Sequence, residues 1–508
     1  MAAPAEAAGL TVNTADDLAW SAGACPASKV ATSAATDAAM AKSRHHRRRP
    51  PPPPPPPAKK CSLRAAIVQA NMDGVRDVIT VPAMTIILGF AKGSAEPTTI
   101  DPDGCFDLDL TASMAIVGAG SGQTIVDANR SCRVMQIGDG KVSPIVNITG
   151  MTMTHGRSST QAGGVLVWQN ASLSLSDVFV TSNQSRQAGG GISNHGDLSL
   201  YRSWVDGNNA NPGDFTGGGV VQQAGGIYSS GNLTVDSSAI TNNVALRAGG
   251  ISNVGGNADI VNTTISGNKV LNQGGGIRNV STVNCDGSTS LGVMNIAFST
   301  ITNNEAGGSD VPDWNGTLHA GGSDPAPEAQ HGGGIFNSAS SSFASPPGCG
   351  GPPTLTDPAG IINMGATILA GNLDPAYFVS SRDFTPDCYS PDAFALTSFR
   401  SNLVGLIGPL CDFEDTDNGR NPDGTTCCDL LSQDPNNPVN PVIVDLELNA
   451  PGTTPTHEVT PESAAYDGVT FGTSAPFLNC PATDQRGVSR PDNGDGQGCD
   501  IGAYEANS

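Results

Sequence analysis

Apolar and polar positions alternate in short bursts along the middle of the chain, as in Leu173-Ser174-Leu175, Leu198-Ser199-Leu200 and Leu233-Thr234-Val235. That is the period of a half-buried strand, not of a helix. Each burst is followed by a second apolar residue three places before an asparagine: Val180 with Asn183, Val205 with Asn208, Ile240 with Asn243, Ile265 with Asn268, Ile301 with Asn304. Glycine clusters running into isoleucine return in register with the bursts, at Gly189-Gly190-Gly191-Ile192, Gly225-Gly226-Ile227, Gly249-Gly250-Ile251, Gly275-Gly276-Ile277 and Gly333-Gly334-Ile335. Met153, Val180, Val205, Ile240, Ile265 and Ile301 are separated by 27, 25, 35, 25 and 36 residues. The long steps hold Gly/Asn/Pro-rich inserts such as 208–219 and 281–292, which read as loops thrown out from one unit.

A unit of about 25 residues is too short for a strand, a crossover helix and a second strand, but it fits three short strands and their turns. Repetition at such a period marks a stacked architecture. The expected fold is therefore all-β, a right-handed parallel β-helix of roughly ten coils. Equivalent side chains stack at about 4.8 Å, so the isoleucines and valines form internal columns. The glycine pairs occupy corners that need close backbone approach or positive φ. Asn183, Asn208, Asn243, Asn268, Asn304 and Asn372 form a hydrogen-bonded ladder along one turn. A β-propeller or sandwich calls for longer, aromatic-rich strands, and only 5% of this chain is aromatic.

Composition narrows the function classes. The 508 residues include 63 glycines and 37 prolines, with a net charge of -22, which argues against nucleic acid and anionic membrane surfaces as partners. No stretch is apolar enough to span a bilayer. Twelve cysteines lie mostly outside the repeat or in its inserts, without Cys-x-x-Cys spacing, and read as disulfides of an oxidising compartment. Cys480 and Cys499 are expected to pair across the short Asp/Gly-rich loop between them. Asn147, Asn232 and Asn262 begin glycosylation sequons, although turn chemistry already accounts for Asn and Thr there. No apolar leader follows Met1, so the expectation is a start further upstream or another export route.

Three regions follow: 1–112, a cap interrupted at 43–60 by a basic and polyproline loop; 113–375, the coils; and 376–508, a cysteine-containing module that caps the far end. In the first, residues from Cys61 to Asn71 read as a short helix and Asp77 to Pro82 as a strand. The run Cys61-Ser62-Leu63-Arg64-Ala65-Ala66 resembles the N-terminal domain named for its Cys-Ser-Leu-Arg-Glu-Ala signature, with Ala65 in place of glutamate. The other end, from Asp484-Gln485-Arg486-Gly487 and Arg490-Pro491 to Cys499-Asp500-Ile501-Gly502-Ala503-Tyr504-Glu505, resembles the closing module of choice-of-anchor Q proteins. The central repeats resemble those of polymorphic outer-membrane proteins. These resemblances cover nearly the whole chain and imply an extracellular or cell-surface β-helix protein. No sorting tail follows Ser508, which favours release or retention by another surface component.

Candidate chemistry is sparse. Cleavage of an acidic polysaccharide needs convergent carboxylates, or clustered aspartates with an arginine. Asp177, Asp206, Asp236 and Asp259 instead occupy different places in their units, and Arg486 and Arg490 lie beyond the coils. His155, His195, His319 and His331 fall near corners or inserts and read as solvated loop residues. Trp168, Trp204 and Trp314 are candidates for stacking on sugar rings; Trp204, next to the inward-facing Val205, is the one expected to point outward. Asp412, Glu414, Asp415, Asp417 and Asp423, with Asn418 among them, offer oxygens at alternate positions between Cys411 and Cys427 and suit calcium. They lack the EF-hand order, because Gly419 stands at a ligand position. Asp492-Asn493-Gly494-Asp495 is a shorter echo. The expected function is non-catalytic adhesion, scaffolding or glycan binding by a monomer, with polysaccharide or surface proteins as partners. The alternative is a polysaccharide lyase or glycoside hydrolase acting on an acidic polysaccharide.

Overall fold

The computed structural model describes residues 8–18, 25, 28–29, 59–89, 106–211, 223–283, 288–307, 311–313, 317–319, 332–337, 340–343, 355–357, 359–374, 387–390, 395–407, 411, 413–415, 429–433, 437–470, 479–491 and 498–506. Three long sheets, of 13, 11 and 9 strands, run the length of a right-handed parallel β-helix. One coil shows the plan. Val165–Val167 lies in the nine-stranded sheet, Ser172–Ser176 in the thirteen-stranded sheet and Phe179–Thr181 in the eleven-stranded sheet. The chain then turns through its glycine corner to Ile192–Asn194, which pairs with Val165–Val167 in parallel. These are called the cleft sheet (nine strands), the broad sheet (thirteen) and the flank sheet (eleven).

The alternation Leu-Ser-Leu buries one side of the broad sheet and exposes the other. Leu173, Leu198 and Leu233 are in register and buried, while Ser174, Ser199 and Thr234 between the leucines face solvent. On the flank sheet Met153, Val180, Val205, Ile240, Ile265 and Ile301 form one in-register column, each fully buried. A side chain of this size gains about 1.5–3 kcal/mol on burial, so the column secures the stack without any helix.

The asparagine ladder sits at the turn after the flank sheet. Asn183 Nδ2 donates to Asn208 Oδ1 at 3.0 Å, Asn208 to Asn243 at 3.0 Å, Asn243 to Asn268 at 2.9 Å, Asn268 to Asn304 at 2.8 Å and Asn304 to Asn372 at 2.9 Å. An amide passes the chain on because it both donates and accepts. The ladder ends at Asp387, whose Oδ1 accepts the Asn372 amide at 2.9 Å, and a carboxylate needs no further acceptor. Burial pushes the Asp387 carboxyl up to about 7, against the backbone and side-chain donors of Asn372. The glycine pairs answer to crowding. A Cβ on Gly190 would stand 2.5 Å from Gly225 O of the next coil, and one on Gly226 2.6 Å from Gly250 O.

The helix Leu63–Asp73 closes the N-terminal end. Ser62 caps it by accepting the Ala65 N–H at 3.1 Å, and Gly74 ends it at φ 71°. Its Leu63, Ala66, Ile67 and Ala70 are buried in the main core, and Arg64 is held by Asp17 at 2.8 Å and by the Asp107 carbonyl at 2.6 Å. Cys25–Cys61, Cys388–Cys411 and Cys480–Cys499 are disulfides, and Cys132 is disulfide-bonded as well.

Two expectations about boundaries change. The ladders are not confined to 113–375: Ala8–Thr11 and Asp77–Thr80 already belong to the broad sheet, which continues through Leu396–Ser398 to Phe413–Asp415, while the flank sheet reaches Leu430–Leu431. These strands stack without the glycine-isoleucine signature because parallel pairing needs only extended backbone. The described residues of the last segment, 439–470, 479–491 and 498–506, do not form a plug on the end of the stack. They lie along the outer face of the flank sheet, where Thr264 Oγ1 donates to Gln485 Oε1 at 2.7 Å, Asn262 Nδ2 to the Thr483 carbonyl at 2.9 Å and the Ala503 N–H to Thr300 Oγ1 at 3.1 Å. Phe298, Ile368 and Leu403 of the coils share an apolar cluster with Val459, Ile501 and Tyr504 of this segment.

Candidate functional site

A cleft of about 680 Å³ opens on the outer face of the cleft sheet near the N-terminal third of the stack. Its floor is made by side chains at strand centres, Gln136 and Leu166, which are neighbours in register. One wall is the residue leaving each strand. Trp168 N–H donates to the Ile137 carbonyl, His195 N–H to that of Val167 and Ser230 N–H to that of Asn194, so Trp168, His195 and Ser230 form one column on successive coils. The opposite wall is the turn before the glycine corner, with Thr160, Gln161 and Gln187, while Asp139 and Gln169 lie beside the Trp168 column. Trp168 is 37% exposed, so an indole face meets the solvent there.

Hydrogen bonds tie the walls together. Gln161 Oε1 lies 2.6 Å from His195 Nε2, and Ser230 Oγ lies 2.8 Å from His195 Nδ1. A carbonyl oxygen only accepts, so Nε2 carries the ring proton and Nδ1 accepts from Ser230. This bridge roofs Ser193, whose Oγ is 3.3 Å from both Gln161 Oε1 and His195 Nε2. Desolvation holds the His195 imidazole below its ordinary pKa, hence neutral. Arg133, at the base, is ion-paired with Asp107 at 3.1 Å and donates to Gln136 Oε1 at 2.8 Å. The backbone N–H of Lys141 keeps the Asp139 carboxyl below the usual carboxylate range.

These groups can donate to and accept from a polar ligand. Ser230 meets the unprotonated Nδ1 of His195 as a nucleophile meets a base, but the group orienting the imidazole is a neutral amide, which cannot balance an imidazolium as a carboxylate does. Asp139 is the one carboxylate among the lining residues. Hydrolysis of a glycosidic bond uses two, about 5–9.5 Å apart.

Trp204 belongs to another face. Its ring meets Phe179 edge-on at 5.3 Å and its Nε1–H donates to Thr241 Oγ1 at 2.7 Å, so the expected free stacking surface is engaged within the protein and lies outside the cleft. Trp314 lies outside the described residues. His195 is not a solvated corner residue but a half-buried wall of the cleft, because its ring hydrogen-bonds across the groove. His155 lies 3.0 Å from Asp127, away from the cleft. Of the acidic set proposed for calcium, Glu414 and Asp415 fall on the strand Phe413–Asp415, while Asp412, Asp417 and Asp423 lie outside the described residues. No group of three or more His, Cys, Asp or Glu among the described residues is placed to hold a metal ion. The repeat register carries the signal for this column: Trp168, His195 and Ser230 each follow the first residue of their strand, Val165, Ile192 and Ile227, by three.

No family model matches the chain, and no curated protein matches it. Solved structures do. The pectate lyase Pel9A matches with a TM-score of 0.42 at 11% identity, over 88% of this chain and 92% of its own. The A-module of the mannuronan C-5 epimerase AlgE4 from Azotobacter vinelandii matches at 0.30 and 13%, over 70% and 89%. The alginate lyase AlyGC, of the PL6 family, matches at 0.23 and 10%, over 78% and 54%.

Proposed function

We propose that this chain is an exported or cell-surface β-helix protein that binds a glycan, without cleaving it, in the cleft of Trp168, Gln161, Gln187, His195 and Ser230. The observation that carries this reading is an exposed indole beside side-chain amides, a neutral imidazole and a hydroxyl. Sugars present that same pairing of complementary features, apolar ring faces and hydroxyls that donate and accept. Three disulfides among the described residues favour an oxidising, extracellular setting. No described helix is long and apolar enough to cross a membrane.

A broad glycan array probed with the whole chain, with and without a chelator, tests the reading. Binding that Trp168→Ala weakens about tenfold and Trp204→Ala leaves intact is the expected result. Incubation with pectate, alginate and hyaluronan should release neither unsaturated products nor new reducing ends. Release abolished by Asp139→Asn would replace this reading with the lyase or hydrolase alternative.

A further inference from the structure

The cleft carries information about the charge and direction of its ligand. We infer that it takes an uncharged glycan, laid parallel to the β-helix axis, and discriminates against polyuronates. This rests on the glycan-binding reading and deepens it.

Direction follows from where the lining residues originate. They come from four successive coils: Arg133 to Asp139, Thr160 to Gln169, Gln187 to His195, and Ser230. Stacked strands are about 4.8 Å apart, so three steps span about 14 Å along the axis. The Trp168, His195 and Ser230 column runs in that direction, as its backbone hydrogen bonds show. A ligand laid across the sheet would meet only one residue of the column, whereas one laid along it meets the indole first and the polar pair next.

Charge follows from the groups that line the groove. Arg133 is the cation among the described lining residues; its side chain is 5% exposed and already opposed by Asp107 at 3.1 Å. His195 is neutral, with both ring nitrogens hydrogen-bonded inside the protein. Asp139, on the rim, is ionised. A carboxylate on every sugar would thus be desolvated beside Asp139, whose charge Lys141 next to it on the rim partly balances, and the described lining residues themselves offer no unneutralised cation to offset the loss of water. The net charge of -22 adds a repulsive field at low salt. Gln161, Gln187, Gln136 and Gln169 carry amides, which serve hydroxyls equally well as donors or acceptors.

Isothermal titration of the whole chain, at low and at moderate salt, decides the matter. The probes are the neutral hexasaccharides cellohexaose, xylohexaose and mannohexaose, set against hexagalacturonate and hexamannuronate. A neutral hexamer should bind with an affinity that salt leaves unchanged. Trp168→Ala should weaken it about tenfold, and Gln187→Ala, which removes a half-buried amide and no ring, by a smaller factor. The acidic hexamers should bind at least about tenfold more weakly than the neutral one. Acidic hexamers that bind as tightly as neutral ones, and lose affinity in both variants, would overturn the charge inference and leave glycan binding in place. Absence of binding to any hexamer, or binding that both variants leave untouched while their far-ultraviolet dichroism is native, would overturn the glycan reading and the inference with it.

Discussion

Two outer faces of the same coils carry similar rows of small polar residues and meet different fates. On the flank sheet, Thr264, Ser266 and Thr300 are buried because Gln485, His457 and the Ala503 N–H of the chain's own last segment take up their hydroxyls. On the cleft sheet Gln161 Oε1 is taken up by His195, but the amide of Gln187 and the ring of Trp168 meet no such cover and line an open groove. Each face has a half-buried or buried histidine whose imidazole desolvation keeps neutral, His457 on the flank and His195 in the cleft. The difference lies in who supplies the partners. A row whose hydrogen bonds are completed within the chain is structural, and a row left open to solvent is available to a ligand.

The largest expected effect comes from breaking the flank. Arg490 is fully buried, donates to the Asp500 and Gly502 carbonyls at 2.9 and 2.7 Å and stands over the Phe298 ring at 5.3 Å. Arg490→Ala should cost about 3–5 kcal/mol, because Glu505, 3.6 Å away, loses a buried cation. Urea denaturation should show the last segment melting first while oligosaccharide binding persists; a single unchanged transition would mean that the flank does not depend on this arginine.

Next is the ladder that both faces share. Asn268→Ala removes the acceptor of Asn243 Nδ2 at 2.9 Å and of the Asn243 N–H at 3.0 Å. About 1–3 kcal/mol is expected for a buried group left unpaired, read as a lower melting temperature of the whole coil region. A loss limited to a few tenths would show that the coils do not rely on the ladder.

Acid should separate the two faces further. His457 donates Nδ1–H to the Val444 carbonyl at 2.8 Å and faces Ser266 Oγ through Nε2 at 2.9 Å. Burial lowers its folded pKa below the ordinary value. Between that folded value and the unfolded one, near 6.5, the unfolded chain binds the proton more readily, so stability is lost as pH falls through this window. His457→Gln should flatten the fall in melting temperature below about pH 6.5. An equally steep fall in the variant would assign the acid sensitivity elsewhere.

The smallest effect separates the two tryptophans. Trp204→Phe keeps a ring beside Phe179 but loses the bond to Thr241, for about 1 kcal/mol of stability and no change in glycan affinity. A fall in affinity would move the site to the flank sheet.

The repeat by itself determined the coil. Alternation decided which side of each strand is buried, Gly190 and Gly226 marked where neighbouring backbones crowd, and the asparagine spacing predicted a ladder that runs from Asn183 to Asn372. These are local or strictly periodic requirements, which a one-dimensional stack imposes on every unit. The helix at Leu63–Asp73 was legible for the same reason, since its cap and its apolar face lie within a few residues of one another. Only the tertiary structure decided that the last segment folds back along the flank, because Thr264 and Gln485 are 221 residues apart and nothing periodic links them. The packing of neighbouring coils separated Trp168 from Trp204, whose ring and Nε1–H are taken up by Phe179 and Thr241. Trp168 follows the strand Val165–Val167 while Trp204 begins the strand Trp204–Asp206, and what each ring meets depends on the side chains that stacking sets beside it.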